Sequence, residues 1–251
     1  MLKIENVSVD FDGLKAVSNV NLIAKDNEVT ALIGPNGAGK TTIFNLITGV
    51  TKPNNGHIYL DDTDITSKKP YDICHLGIAR TYQAIKLFKK MSVIDNVLVG
   101  MHTRTSINLF SDIFHSKKMR EQEKRSNEKA KELLKQFGLD KFEQLPAGSL
   151  SYGQQRLLEI CRAVASEPKI ILLDEPAAGM NDSEKKELNE KIRHIISMEI
   201  SVLLVEHDMN LVMDIADTIF VIEAGQNLAS GTPKEIQNNK EVIKAYLGGD
   251  E

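Results

Sequence analysis

Val29-Thr30-Ala31-Leu32-Ile33 is a compact apolar run that leads straight into Gly34-Pro35-Asn36-Gly37-Ala38-Gly39-Lys40-Thr41, and from Thr41 to Thr48 the pattern is helical. The octet fits G-x-x-x-x-G-K-[ST], and its place between an expected strand and an expected helix is what the chemistry of that pattern needs. Glycines let the backbone wrap tightly, so that its N–H groups converge on phosphate oxygens. The helix N-terminus adds roughly half a positive charge. Lys40 is expected to reach the β and γ phosphates of a nucleotide, and the Thr41 hydroxyl to take magnesium. The alternative is an ordinary glycine turn.

A second anchor lies far along the chain. Ile170-Ile171-Leu172-Leu173-Asp174-Glu175 reads as a buried strand ending in two carboxylates, and a parallel sheet presents ligand groups at that carboxyl edge. Asp174 is expected to hold magnesium through water. Glu175 is suited to polarise the water that attacks the γ phosphate, a general-base role. Alone, the pair reads as a helix N-cap with a charged first turn; beside the glycine-rich loop the catalytic reading takes precedence. Ser151 precedes the helical pattern Leu157, Leu158, Cys161, Val164 and can cap that helix. A capped start with a flanking glycine also offers N–H groups and a hydroxyl to an anion.

Working outward, residues 2 to 33 form short alternating segments broken at Asp12-Gly13 and Lys25-Asp26-Asn27, which predicts an antiparallel β layer. From about Ile85 to Ala165 the chain reads as helices, with Arg120 to Lys135 dense in Lys, Glu and Gln, a charge run taken as a solvated helix face. Apolar strands at Ile170 to Leu173 and Ser201 to Val205, separated by the helix-like Ser183 to Ser197, imply parallel α/β topology. Thr218 to Ile222 and Leu228 to Ser230 suggest a short strand pair, and Pro233 to Leu247 a helical tail.

The bulk numbers exclude several classes. A chain of 251 residues suits one large α/β domain, or a core carrying a small subdomain. With 41% hydrophobic and 26% charged residues it is neither disordered nor embedded in a membrane. A formal charge of -4 provides no basic surplus, so no nucleic-acid partner is expected. Cys74 and Cys161 form no C-x-x-C pair, and His57, His75, His102, His115, His194 and His207 show no metal-ligand spacing, so neither a disulfide framework nor zinc is expected. The apolar runs are far shorter than the ~20 residues a spanning helix needs. Met1-Leu2-Lys3-Ile4-Glu5-Asn6 has no basic run before an apolar stretch, which suggests a chain that stays in the cytoplasm.

Leu150-Ser151-Tyr152-Gly153-Gln154-Gln155 closely resembles the signature motif of ABC ATPases, and the family's other marks follow in order along nearly the whole chain. The resemblance implies a P-loop NTPase (RecA-like) fold: a parallel-sheet core with an antiparallel β subdomain, about 1–84 and 166–251, and an inserted α-helical subdomain, about 85–165. It implies ATP and Mg2+ as ligands. Gln83, after Arg80-Thr81-Tyr82, looks like the Q-loop glutamine that touches magnesium or the attacking water; His207 looks like the switch histidine of the γ phosphate. Phosphate contacts are implied for Gly34, Asn36, Gly37, Ala38, Gly39, Lys40, Thr41 and Thr42. Ser151, Gly153 and Gln154 would serve the nucleotide of a partner cassette. Phe11 stands where an aromatic ring stacks on adenine, with a core phenylalanine as the alternative. Asn181, in Ala178-Gly179-Met180-Asn181, stands where many members carry Asp in the D-loop.

Within the family the likeness is greatest to ATPase subunits of branched-chain amino acid importers. It rests on Gly77-Ile78-Ala79-Arg80-Thr81-Tyr82-Gln83, Leu87-Phe88, Met91 to Val97, the charged insert from about His102 to Lys131, Ala177 to Asn181, and Val242-Ile243-Lys244-Ala245-Tyr246-Leu247-Gly248. The implied partners are two permease subunits, a second similar ATPase or second copy, and indirectly an extracytoplasmic binding protein, with the chain peripheral on the cytoplasmic side of the membrane. Ile85 to Val97 would lie near the permease-coupling surface. The competing readings are a urea or amide transporter, a lipopolysaccharide extractor, a soluble iron-sulfur assembly ATPase and a DNA-repair ATPase. The insert and tail disfavour the lipopolysaccharide reading. The absence of a long heptad segment between Lys40 and Asp174 disfavours DNA repair.

Overall fold

The computed structural model describes residues 1–101 and 117–247. His102, His115, the beginning of the charged insert and Gly248 lie outside the described residues. Contacts divide the chain into two compact units, Met1–Gln83 with Lys169–Glu251, and Ala84–Pro168.

The first unit contains two sheets. β1 (Leu2–Phe11) and β2 (Leu14–Ala24) form an antiparallel hairpin whose turn residues, Asp12 at φ 50 and Gly13 at φ 86, both take the left-handed conformation that matches strand twist. β4 (Asn55–Leu60) pairs with β1 and β5 (Thr63–Asp64) extends the layer, giving the order β2-β1-β4-β5. The second sheet is mostly parallel. It comprises β3 (Val29–Ile33), β6 (Ile78–Arg80), β7 (Ile170–Asp174), β8 (Ser201–Val205), β9 (Thr218–Glu223) and β10 (Gln226–Gly231), in the order β10-β9-β3-β8-β7-β6. Every residue of β3, β7 and β8 is buried, as strands covered on both faces require, which is why they read as unbroken apolar runs. α1 (Lys40–Ile47), α2 (Pro70–Leu76), α6 (Asp182–Ser197), α7 (Met209–Ile215), α8 (Pro233–Gln237) and α9 (Lys240–Leu247) complete the described part of this unit.

Three strands escaped the sequence reading. β4, β5 and β6 are short or polar, and β6 is only three residues ending in Arg80. The expected helical tail consists of two short helices, each with its own cap. Thr232 and Glu235 form a capping box for α8, and the Asn239 side chain accepts from the N–H groups of Glu241 (2.9 Å) and Val242 (3.3 Å) to start α9.

The described part of the second unit is helical: α3 (Val93–Met101), α4 (Lys117–Gln136) and α5 (Tyr152–Val164), with two short 3-10 turns. Buried carboxylate and amide side chains here have partners. Glu159 accepts from the Lys86 N–H at 2.8 Å and from Arg156 at 2.9 Å, while Asn96 accepts from the Phe88 N–H at 3.0 Å and donates to the Phe88 carbonyl at 3.2 Å. Leaving such a group unpaired in a buried site is costly, so these bonds fix the course of residues 86–88.

Candidate active site

β3, β8, β7 and β6 are parallel and consecutive in the sheet, so the segments leaving their carboxyl ends emerge along one edge. Leu32 and Asp174 both pair with Val205, and Arg80 pairs with Leu172. Neighbouring strands lie ~4.8 Å apart. The edge therefore gathers the glycine-rich loop after β3, Glu206-His207 after β8, Asp174-Glu175 at the end of β7, and Thr81-Tyr82-Gln83 after β6. Sequence separations above 100 residues collapse to adjacent strands.

The loop is held by backbone on several sides. A Cβ at Gly34 would lie 2.0 Å from the Ile222 carbonyl oxygen, so only glycine fits where the loop begins. Gly39, at φ 101, precedes α1, and a Cβ there would stand 2.8 Å from the Ala16 carbonyl oxygen. The Gly225 N–H donates to the Ala38 carbonyl at 3.1 Å. Lys40 is buried and donates from Nζ to the carbonyls of Gly34 (2.7 Å) and Pro35 (2.9 Å). Burial lowers its pKa, and the charges of Glu175 and Asp174 push it back up, which ties the lysine electrostatically to the end of β7. Asn36, Gly37 and Thr41 are exposed, Ala38 is buried, and Gly39 and Thr42 are half-buried.

Glu175 has φ 48, a left-handed conformation that costs a non-glycine residue about 1–3 kcal/mol and persists only where surroundings hold it. Its N–H donates to the Val205 carbonyl at 2.9 Å. One carboxylate oxygen accepts from the Gln83 amide nitrogen at 2.8 Å, and the other lies 2.7 Å from His207 Nε2. The three side chains expected to act in catalysis thus meet at one carboxylate. Asp174, also expected at this edge, is 5% exposed and accepts from Arg80 at 2.9 Å. Thr41 Oγ1 and the Asp174 carboxylate are hard oxygen donors, and a magnesium ion needs only one or two protein groups when phosphates supply others.

Two residues at this edge escaped the sequence reading. Arg80 is one. Glu206, 4% exposed, is the other: it accepts from the Ala177 N–H at 2.7 Å and the His207 N–H at 2.9 Å, joining the segment after Glu175 to the histidine. A carboxylate directly after an apolar strand is the same signal that marks Asp174, and it could have found Glu206. Asn181 caps α6, accepting from the N–H groups of Ser183 (2.9 Å) and Glu184 (3.0 Å), work that Asp would do equally.

In the other unit, Ser151 caps α5. Its hydroxyl accepts from the Gln154 N–H at 3.3 Å and the Gln154 side chain accepts from the Ser151 N–H at 3.0 Å, with Gly153 buried between them. Phe11 is not a core residue: it is 47% exposed, at the tip of the β1–β2 hairpin, where strand pairing leaves its ring outside.

Comparisons with known proteins bear on the family and the fold. A family described as "ABC transporter" matches residues 17–178, and one described as "Branched-chain amino acid ATP-binding cassette transporter" matches residues 226–251. The chain is 43% identical over 249 residues to the high-affinity branched-chain amino acid transport ATP-binding protein LivG of Escherichia coli K12, covering 99% of this chain and 98% of the relative. A solved ATP-binding cassette of an ABC transporter in its ADP conformation superposes with TM-score 0.86 at 33% identity, covering 99% of this chain and 98% of that one. A dimeric cassette in a post-hydrolysis state, bound to ADP and Pi, superposes with TM-score 0.76 at 25% identity, covering 93% and 99%. Matched by the ABC transporter family model over most of its length and 43% identical to a relative from end to end, the chain belongs to the ABC transporter family of ATPases, in its branched-chain amino acid ATP-binding branch.

Proposed function

We propose that this chain hydrolyses ATP within a head-to-tail pair of cassettes and so drives import of branched-chain amino acids through separate permease subunits. The observation that carries the reading is the Glu175 carboxylate, bonded on one oxygen to Gln83 and close on the other to His207. A general base must be held within hydrogen-bond reach of the water it activates, and these two contacts fix it there. Backbone N–H groups from Gly34 to Thr42, Asn36 included, receive the phosphates with Lys40. The exposed Phe11 ring takes the adenine face. Thr41, Asp174 and Gln83 would hold magnesium, which when bound neutralises phosphate charge.

Ser151, Gly153 and Gln154 would read the γ phosphate of the partner's nucleotide, the partner being a second copy or a sister ATPase. Hydrogen bonds to charged groups contribute about 1.5–3 kcal/mol each, and ADP lacks the phosphate these donors read. Driving a pair from mostly open to mostly closed takes about 5.5 kcal/mol, which two sites with one or two such contacts each supply. Loss of the γ phosphate reopens the pair. The substrate assignment is supported by the transport role for which the Escherichia coli relative is named, and by the match over residues 226–251. It entails permeases, an extracytoplasmic binding protein reached through them, and a peripheral position on the cytoplasmic face of the membrane.

Glu175→Gln keeps the side chain's shape and removes its basicity. The variant is expected to bind ATP as the parent does, to lose turnover and to accumulate an ATP-dependent dimer on gel filtration. Normal turnover in that variant would remove Glu175 from the general-base role.

A further inference from the structure

Arg80 leaves β6 three residues before Gln83 and makes more contacts across the sheet edge than any motif assigns it. Its side chain is 6% exposed, and that of its partner Asp174 is equally buried. Nη2 donates to Asp174 Oδ2 at 2.9 Å. Nη1 donates to Asn45 Oδ1 of α1 at 2.8 Å and to Oγ1 of Thr48, the C-cap residue of that helix, at 3.3 Å. The guanidinium carbon lies 5.3 Å from the centre of the Phe44 ring and 4.9 Å from that of Tyr82, next to Gln83. Its Nε is buried without a hydrogen-bond partner, so the group is placed at a cost in polar satisfaction that a generic core position would not impose. One planar cation thus joins the helix behind the glycine-rich loop, the strand-end carboxylate and the segment before Gln83. Lysine cannot do this, because an ammonium has no rigid fork.

We propose that Arg80 is a positioning residue that sets the Asp174 carboxylate for the metal and links it, through the Tyr82 ring, to the Gln83 segment. The arginine occupies one carboxylate oxygen and leaves the other for the metal's water. It also compensates a buried carboxylate that stands beside Glu175 in sequence. This proposal rests on the reading of Asp174 as the magnesium-holding carboxylate.

The test is ATP binding by the purified full chain, measured calorimetrically in EDTA and again in magnesium, the readout being the gain that magnesium confers. Partners that orient metal-holding groups typically contribute 10- to 100-fold to metal affinity, so Arg80→Ala is expected to cut that gain by about 10-fold or more while affinity in EDTA stays within about twofold. Arg80→Lys keeps the charge and serves if the alanine variant does not fold; its gain is also expected to stay well below that of the parent. Because an arginine acting through Asp174 has nothing left to orient once the carboxylate is gone, Arg80→Ala is expected to add less than about twofold to Asp174→Ala. Parallel loss in EDTA and magnesium, a parental gain in Arg80→Lys, or additive losses in the double variant would each overturn the proposal. If Asp174→Ala itself keeps the full gain, the magnesium-site reading fails; if it loses the gain and Arg80→Ala does not, only the role of Arg80 fails.

Discussion

Lys40 shows how a single side chain is prepared for its ligand. Its ammonium is buried against its own loop, donating to the carbonyls of Gly34 and Pro35, and burial lowers its pKa while Glu175 and Asp174 counteract that shift. A cation already desolvated interacts more strongly with an incoming phosphate than one exposed to water. Lys40→Ala removes a charge-assisted donor and is expected to weaken ATP binding by roughly 10- to 100-fold, the equivalent of about 1.5–3 kcal/mol. Calorimetric titration measures it. Undiminished affinity would count against the whole glycine-rich loop. Gly34 makes the complementary point: the contact that demands glycine there comes from Ile222, a residue of β9 remote in sequence.

At the scale of elements, β7 and β8 are each followed by a short connection and a helix with a side-chain cap, Asn181 for α6 and Asp208 for α7. α7 follows β8 by way of Asp208, whose side chain accepts from the N–H groups of Asn210 (3.1 Å) and Leu211 (3.3 Å) and from Lys185 Nζ of α6 (2.6 Å). The hydrogen bond from Lys185 holds the Asp208 carboxyl below its ordinary value, against the opposing effect of burial. A depressed carboxyl stabilises the fold at all pH above its ordinary value and loses that contribution as pH falls through the lower folded value. Asp208→Ala is expected to cost about 1 kcal/mol through the lost cap, near 2–4 °C in melting temperature at neutral pH. The difference from the parent should shrink as acid protonates Asp208. A pH series of thermal melts checks both; a deficit that persists undiminished in strong acid would show that the cap's charge is not its source.

At the scale of the whole molecule, no helix among the described residues is long and apolar enough to cross a membrane. Under the proposed function, the chain's place at the membrane depends on docking to permease subunits. The tagged chain is expected to sediment with membranes when its permease subunits are co-expressed and to remain in the supernatant when they are not. Equal recovery in the membrane fraction under both conditions would contradict docking through permeases. The low net charge agrees with a specific contact rather than a general attraction to anionic lipid.

The glycine-rich loop, the carboxylates ending β7 and the Ser151 cap were legible in the sequence, because each is specified by neighbours within a few residues. Backbone conformation, strand burial and helix capping are local requirements, and they leave local patterns. β6 was not legible, since three residues ending in arginine carry no periodicity, and neither were Arg80 and Glu206, whose partners lie about 30 to 100 residues away and meet them only through strand order. Sequence by itself determined which chemical groups the chain possesses and, for β3, β7 and α5, which elements present them. The tertiary structure alone decided which of those groups share a carboxylate, because hydrogen bonds and ion pairs depend on ångström distances that only the pairing of β6, β7 and β8 sets.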